Sequence, residues 1–119
     1  MKTREYLQIA LFLVILLSSC KGKEPKIEAQ LQGKTWALSA YTNTQPIVGH
    51  HPSLEFDADQ ISGTTGCNHY GGTYQIEGDT IRFEGIFSTE MACLEPTGLM
   101  EQERIYLDLL RVVDQVELN

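Results

Sequence analysis

The chain has 119 residues and a formal net charge of −7, a length that leaves room for one small domain and no more. So acidic a chain repels phosphate backbones and lacks the Lys and Arg clusters that neutralise them, which speaks against nucleic acid as a partner. No internal repeat stands out, so repeat architectures are not expected.

At the N-terminus Lys2 and Arg4 precede an apolar run from Ile9 to Leu17, which ends in Ser18-Ser19-Cys20. A charged start, an apolar middle and a small-residue end mark residues 1–19 as an export signal. The apolar run is nine residues long, whereas a spanning helix needs about 20, so no permanent membrane span is predicted. Leu17-Ser18-Ser19-Cys20 resembles the lipobox of bacterial lipoproteins. That resemblance implies cleavage before Cys20 and acylation of the cysteine, palmitate included, so that Cys20 becomes the first residue of the mature chain. More than one acyl chain on one cysteine holds a protein at a bilayer, because each buried methylene contributes about 0.8 kcal/mol. An ordinary cleaved signal with an incidental cysteine is the plainer alternative. Cleavage would leave seven basic and fifteen acidic residues, a net charge of −8. Residues 20–30 read as the lipidated cysteine and a flexible tether, since Lys21 to Lys26 is polar and carries Gly22 and Pro25.

From Lys34 to Tyr41 the alternation of Trp36, Leu38 and Ala40 predicts a strand with Trp36 as a core anchor. Residues Asn43 to Pro52 include Pro46, Gly49 and Pro52 and read as a loop. Short strands are expected over Ser53 to Asp57, with Leu54 and Phe56 inward, and over Gln60 to Thr64, with Ile61 inward. Ala58-Asp59 suits the turn between them. Thr73 to Glu77 and Thr80 to Phe87 are strand-like runs separated by Gly78-Asp79, a pair suited to a tight primed hairpin turn. From Thr97 the period changes. Leu99, Tyr106, Leu109, Leu110 and Val113 fall near one helical face, with Glu101 and Glu103 near the start, where the helix dipole favours negative charge. Antiparallel strands followed by one helix make an α+β, mainly antiparallel domain over residues 31–119.

With Cys20 lipidated, Cys67 and Cys93 remain as a pair in an exported compartment. A bridge between them would close a loop of roughly 25 residues and contribute about 3 kcal/mol on the chain-entropy model. Sequence alone leaves open whether they bond or stay thiols, because it does not fix their Cα separation.

Gly63 to Tyr74 resembles the G-x-x-G-C-N-x-x-x-G-x-Y signature of the META domain, the HslJ-like heat-shock lipoprotein family, through Gly63, Gly66, Cys67, Asn68, Gly72 and Tyr74. Gly33 to Leu38 is similar to the family's opening G-x-x-W-x-L strand. Thr89, Met91, Ala92 and Cys93 fit its T-x-M-A-C segment, and Glu103 to Leu110 resembles its E-x-x-Y-x-x-L-L helix. The resemblance implies a partly open, barrel-like antiparallel sheet with a helix near the C-terminus. Members usually continue past that helix with further strands, whereas here Val116-Glu117-Leu118-Asn119 ends the sequence. An uncovered sheet edge, which invites pairing with another chain, is therefore expected. The family further implies an envelope protein of the heat or stress response, at the outer membrane and facing the periplasm, with no shared catalytic reaction.

The residues themselves bear on other chemistries. The Gly-rich run could cradle an anion, but it lacks the GK[ST] ending of a P-loop, and glycines there suit tight turns or close backbone approach. Asn68 is expected to bond locally to backbone. Cys67, His69 and Cys93, with His50 or His51, supply zinc-type donors, yet no C-x₂-C or H-x₃-H pair is present, so no metal or cofactor is expected. Cys67 with His69, or Ser88-Thr89 with His69, could be drawn as nucleophile and base, but no third orienting group or catalytic signature accompanies them. Asp57, Asp59, Glu77, Asp79 and Glu84 read as solvating carboxylates, too sparse for a calcium loop. The expected function is a non-enzymatic envelope lipoprotein, held at the membrane through Cys20, whose domain contacts another envelope component. The alternatives are a thiol–disulfide redox sensor using Cys67 and Cys93 and a small-ligand binder.

Overall fold

The computed structural model describes residues 26–119, so the expected export signal and Cys20 lie outside the described residues. Ile27–Leu31 forms a short helix, α1, where a tether reaching residue 30 was expected. The reason is Leu31, which is only 3% exposed; burying one leucine is worth roughly 1.5–3 kcal/mol, and Ile27 packs against the same core. Ile27–Leu31 therefore belong to the domain.

Five strands follow: β1 (Thr35–Ala37), β2 (Ser53–Asp57), β3 (Gln60–Thr64), β4 (His69–Glu77) and β5 (Thr80–Ser88), then a helix, α2 (Leu99–Val112). Each strand pairs antiparallel with its neighbour in sequence, in the order β1-β2-β3-β4-β5. β1 and β5 are the two edges, so the sheet is open and the class is α+β.

β2 and β3 have the bounds expected from sequence, with Asp57 paired to Gln60 across Ala58-Asp59. Ala58 takes φ 53°, an unfavourable backbone conformation for a residue with a Cβ. It is held there from three directions. The Gln32 amide donates to the Ala58 carbonyl at 2.8 Å and accepts the Ala58 N–H at 3.1 Å, and the Tyr74 hydroxyl donates to the same carbonyl at 2.8 Å. The β4–β5 turn needs no such clamp, because Gly78 supplies φ 63° at the first central position, as primed turns require.

β4 begins at His69 instead of Thr73, running through Gly71 and Gly72. The close approach expected of these glycines is present: a Cβ on Gly72 would lie 2.9 Å from the Glu84 carbonyl oxygen, and one on Gly63 of β3, the partner of Tyr70, 2.0 Å from the Ser53 carbonyl oxygen. Between the Gly71–Phe87 and Thr73–Glu84 pairs, Gly85 and Ile86 stand opposite Gly72 alone. That is a β-bulge, which bends the strand.

Trp36 is not the core anchor that its alternation suggested. It is 36% exposed, its indole N–H reaches the Leu31 carbonyl at 3.4 Å, and the Lys34 ammonium lies 5.9 Å from its ring centre. β1 stops early because Leu38 donates to the carbonyl of Pro52 at 2.9 Å, and a proline has no N–H to return. His51 Nδ1, 3.0 Å from the Leu38 carbonyl, takes the position of that missing donor.

The core joins Leu31, Phe56, Ile61, Tyr70, Tyr74, Ile81 and Phe83 to Tyr106, Leu107 and Leu110 of α2. Phe56 meets the Tyr74 ring edge-on with centres 5.0 Å apart. The expected uncovered edge is narrower than the sequence implied: Ile81 donates to Asp114 at 3.1 Å and Val116 to Asp79 at 2.9 Å, so residues 114–116 cover the start of β5. On the remaining edge an exposed Arg82–Glu84 ion pair, 2.7 Å apart, places charge where strand addition would otherwise be favoured.

Tyr70 and Tyr106 cross edge to face beneath α2, with hydroxyls 2.7 Å apart, and Tyr70 donates to the Ser53 carbonyl at 2.6 Å. Burial pushes the Tyr106 phenol from 10.0 up to about 12, against the lowering effect of the Tyr70 hydrogen bond. Burial, then the neighbouring Tyr106, raises Tyr70 as well. A phenol raised in the folded state adds stability that is complete below its unfolded pKa and is lost as pH climbs through the folded value. Melting temperature is thus expected to fall between about pH 10 and about pH 12, and Tyr106→Phe to flatten that fall. An identical slope in Tyr106→Phe, measured by thermal melts across this range, would remove the pair as its source.

Candidate functional site

Gly66, Cys67, Asn68, Thr89, Met91 and Cys93 of the signature meet where the β3–β4 turn joins the first turns of α2. Thr65 and Asn68, both 0% exposed, close the turn on each other: Thr65 N–H donates to the Asn68 carbonyl at 2.8 Å, and Asn68 N–H donates to the Thr65 hydroxyl at 2.9 Å. Gly66 between them takes φ 96°, and a Cβ there would lie 2.4 Å from the His50 carbonyl oxygen. Only glycine fits that position.

The Asn68 side chain does not bond locally, contrary to expectation. Its Oδ1 accepts the Thr89 hydroxyl at 2.9 Å and the Met91 N–H at 2.8 Å. Its Nδ2 donates to the Met91 carbonyl at 3.1 Å and to Glu103 Oε2 at 2.9 Å. The capacity of the carboxamide is filled. One side chain thus fastens the segment after β5 to the sheet and to α2.

Glu103, expected near the helix start for its negative charge, is turned inward. It is 8% exposed and accepts the Thr65 hydroxyl, the Asn68 N–H at 3.2 Å and the Asn68 amide. Gln102 beside it, 2% exposed, donates to the His50 carbonyl at 2.7 Å and the Thr65 carbonyl at 3.2 Å, and accepts the Ile47 N–H at 2.8 Å. Sequence reading missed Gln102 and Thr65. Leu99, Gln102, Glu103, Tyr106, Leu107 and Leu110 form the buried stripe, at the spacing of a core-facing helix, so the signal was position on the helix and not hydrophobicity. Leu109 and Val113, expected on that stripe, lie at its margin, with Val113 38% exposed.

Cys67 and Cys93 are joined in a disulfide with a Cα separation of 6.0 Å. Met100 Sδ lies 3.9 Å from Cys67 Sγ and accepts the Cys93 N–H at 3.3 Å. With both sulfurs bonded, Cys67 offers His69 no thiol. Thr89 spends its hydroxyl proton on Asn68, while His50 Nδ1 sits 3.2 Å from the Gly66 carbonyl. Among the described residues no three His, Cys, Asp or Glu side chains gather as metal ligands. Of the remaining signature positions, Tyr74 clamps Ala58, Gly72 faces the bulge, Ala92 is exposed, and Met91 acts through its backbone with 53% of the residue exposed.

The surface also carries concavities away from this turn. An apolar groove of about 250 Å³ runs between β1 and α2, lined by Trp36, Leu38, Leu54, Leu109, Leu110 and Val113 among others, slightly below the volume usual for small-molecule pockets. A wider one of about 690 Å³ opens between Ile27, Gln30, Asp79 and residues 115–118, beside the first described residues.

Truncating the carboxamide removes a partner from Glu103, Thr89 and both backbone groups of Met91 at once. A buried polar group left without a partner costs about 1–3 kcal/mol, so Asn68→Ala is expected to destabilise the domain by roughly 3 kcal/mol or more, read by urea unfolding. A loss under about 1 kcal/mol, the net worth of an ordinary hydrogen bond, would show the network to be dispensable.

The META domain family model matches residues 29–119. An NMR structure 24% identical to this chain covers 77% of it and 79% of its own length with a TM-score of 0.63, a likeness of fold. A second NMR structure, of a protein from Burkholderia xenovorans, is 28% identical, covers 79% of this chain and 74% of its own, and has a TM-score of 0.55. No curated relative matches the sequence. With the signature, the open five-stranded sheet and the trailing helix in place, the chain belongs to the META domain family, whose known context is the HslJ-like proteins.

Proposed function

We propose that the protein is a non-enzymatic lipoprotein of the cell envelope, anchored through Cys20, whose META domain contacts or buttresses another envelope component under heat or other stress. The observation that carries this reading is how the signature is used. Cys67 is bonded to Cys93, and Asn68, Thr89, Tyr74 and Glu103 all spend their polar atoms on other parts of the chain. Such residues build a rigid surface and leave no nucleophile with its base. The lipobox-like residues Leu17 to Cys20 support the membrane anchor, and likeness to heat-shock lipoproteins supports the stress role and an outer-membrane, periplasm-facing location. The test is the intact mass of protein extracted from membranes. A chain beginning at Cys20 with added acyl mass is expected; an unacylated chain would remove the anchor.

A second reading, a thiol–disulfide sensor, is favoured by the placement of the bridge. Both cysteines are half-buried, within reach of an exchanging thiol. On this reading thiol trapping of the exported protein finds a reduced fraction that changes with stress. A bridge fully formed in stressed and unstressed cells alike would reject it.

A further inference from the structure

When the Cys67–Cys93 bond is opened, its two thiols stand beside a third sulfur. Met100 is the second residue of α2, and its Sδ lies 3.9 Å from Cys67 Sγ while accepting the Cys93 N–H at 3.3 Å. The thioether is therefore turned toward the bridge. The three sulfurs come from the β3–β4 turn, the segment after β5 and the first turn of α2, and the Asn68–Glu103 network fastens all three places independently of the disulfide.

Two thiolates and a thioether are a soft donor set, suited to Cu(I) and unsuited to magnesium or calcium. At a metal–sulfur distance of about 2.3 Å, a trigonal three-sulfur site spaces its sulfurs about 4 Å apart, close to the separation Cys67 and Met100 already have. Met100 is 38% exposed and both cysteines are half-buried, so an ion has a way in. The adjacent N-terminus of α2, a 14-residue helix, favours the thiolate form.

We propose that the reduced protein binds one soft monovalent cation of the Cu(I) class through Cys67 Sγ, Cys93 Sγ and Met100 Sδ, the disulfide being the closed form of this site. The proposal rests on the sensor reading, since the bridge must open first. An external dithiol opens it: two electrons and two protons pass to the protein sulfurs, and the dithiol becomes a disulfide. Cu(I) then displaces the two thiol protons to solvent and keeps its oxidation state.

The experiment uses the full chain carrying Cys20→Ser, so that the third cysteine does not contribute. The detergent-extracted protein is reduced with a dithiol, freed of it without air, and titrated with the coloured Cu(I)–bicinchoninate complex. One Cu(I) per reduced chain and none per oxidised chain are expected, with affinity at least about tenfold weaker in Met100→Leu. No transfer to the reduced chain, or equal transfer to Met100→Leu, overturns the proposal. The second outcome also covers loss of fold on reduction, because Met100 would then no longer stand beside the thiols. Neither result bears on the sensor reading, which thiol trapping in cells decides separately.

Discussion

The carboxamide of Asn68 is the point from which the rest of this domain is fixed. Its hydrogen bonds to Thr89, Met91 and Glu103 span 21 to 35 residues of sequence. The segment from Thr89 to Gly98 has no regular structure of its own, and Met91 and Leu94 point outward with 53% and 78% exposure. Apolar burial therefore cannot hold that segment, and side-chain bonds do so instead. A buried amide whose partners each depend on it behaves as a unit, so removing one member leaves several unsatisfied.

This constraint explains an otherwise odd helix. The first half of the α2 buried stripe carries Gln102 and Glu103, and the second half Tyr106, Leu107 and Leu110. Hydrogen bonds from the polar half, to the loop at Ile47 and His50 and to the β3–β4 turn, fix where the helix begins and how it is rotated. The apolar half supplies burial, which is strong but non-directional. Leu109 and Val113, outside both halves, become the wall of a groove whose opposite side is Trp36 and Leu54.

Local signals were legible in the sequence, and long-range ones were not. The bounds of β2 and β3, the Gly78 turn and the existence of α2 follow from alternation, turn chemistry and period, all decided within a few residues. Trp36 was misread because alternation says which residues share a face but not whether that face is covered, and β1 is an edge strand. β4 was cut short because Gly71 and Gly72 carry no side chains to alternate, and the close approach that Gly72 serves, against the Glu84 carbonyl, lies across the sheet. Asn68 and Glu103 were assigned local roles because their true partners lie far away in sequence. The resemblance singled out Asn68 within a signature, and only the fold says what its amide does.

The disulfide and the Asn68 network hold the same segment, yet they act on different states of the chain. The bridge spans 26 residues and, on the chain-entropy model, works mainly by restricting the unfolded ensemble, by about 3 kcal/mol. The hydrogen bonds exist only in the folded state, where each excludes an unpaired buried group. Opening the bridge therefore lowers stability without removing the contacts that position Met91, Cys67 and α2. For a small domain whose whole stability is on the order of 5–15 kcal/mol, such a division means that the geometry of this segment does not rest on the bridge alone. A domain that relied on the disulfide alone to place this segment would have nothing in the folded state to fix Met91 against Asn68.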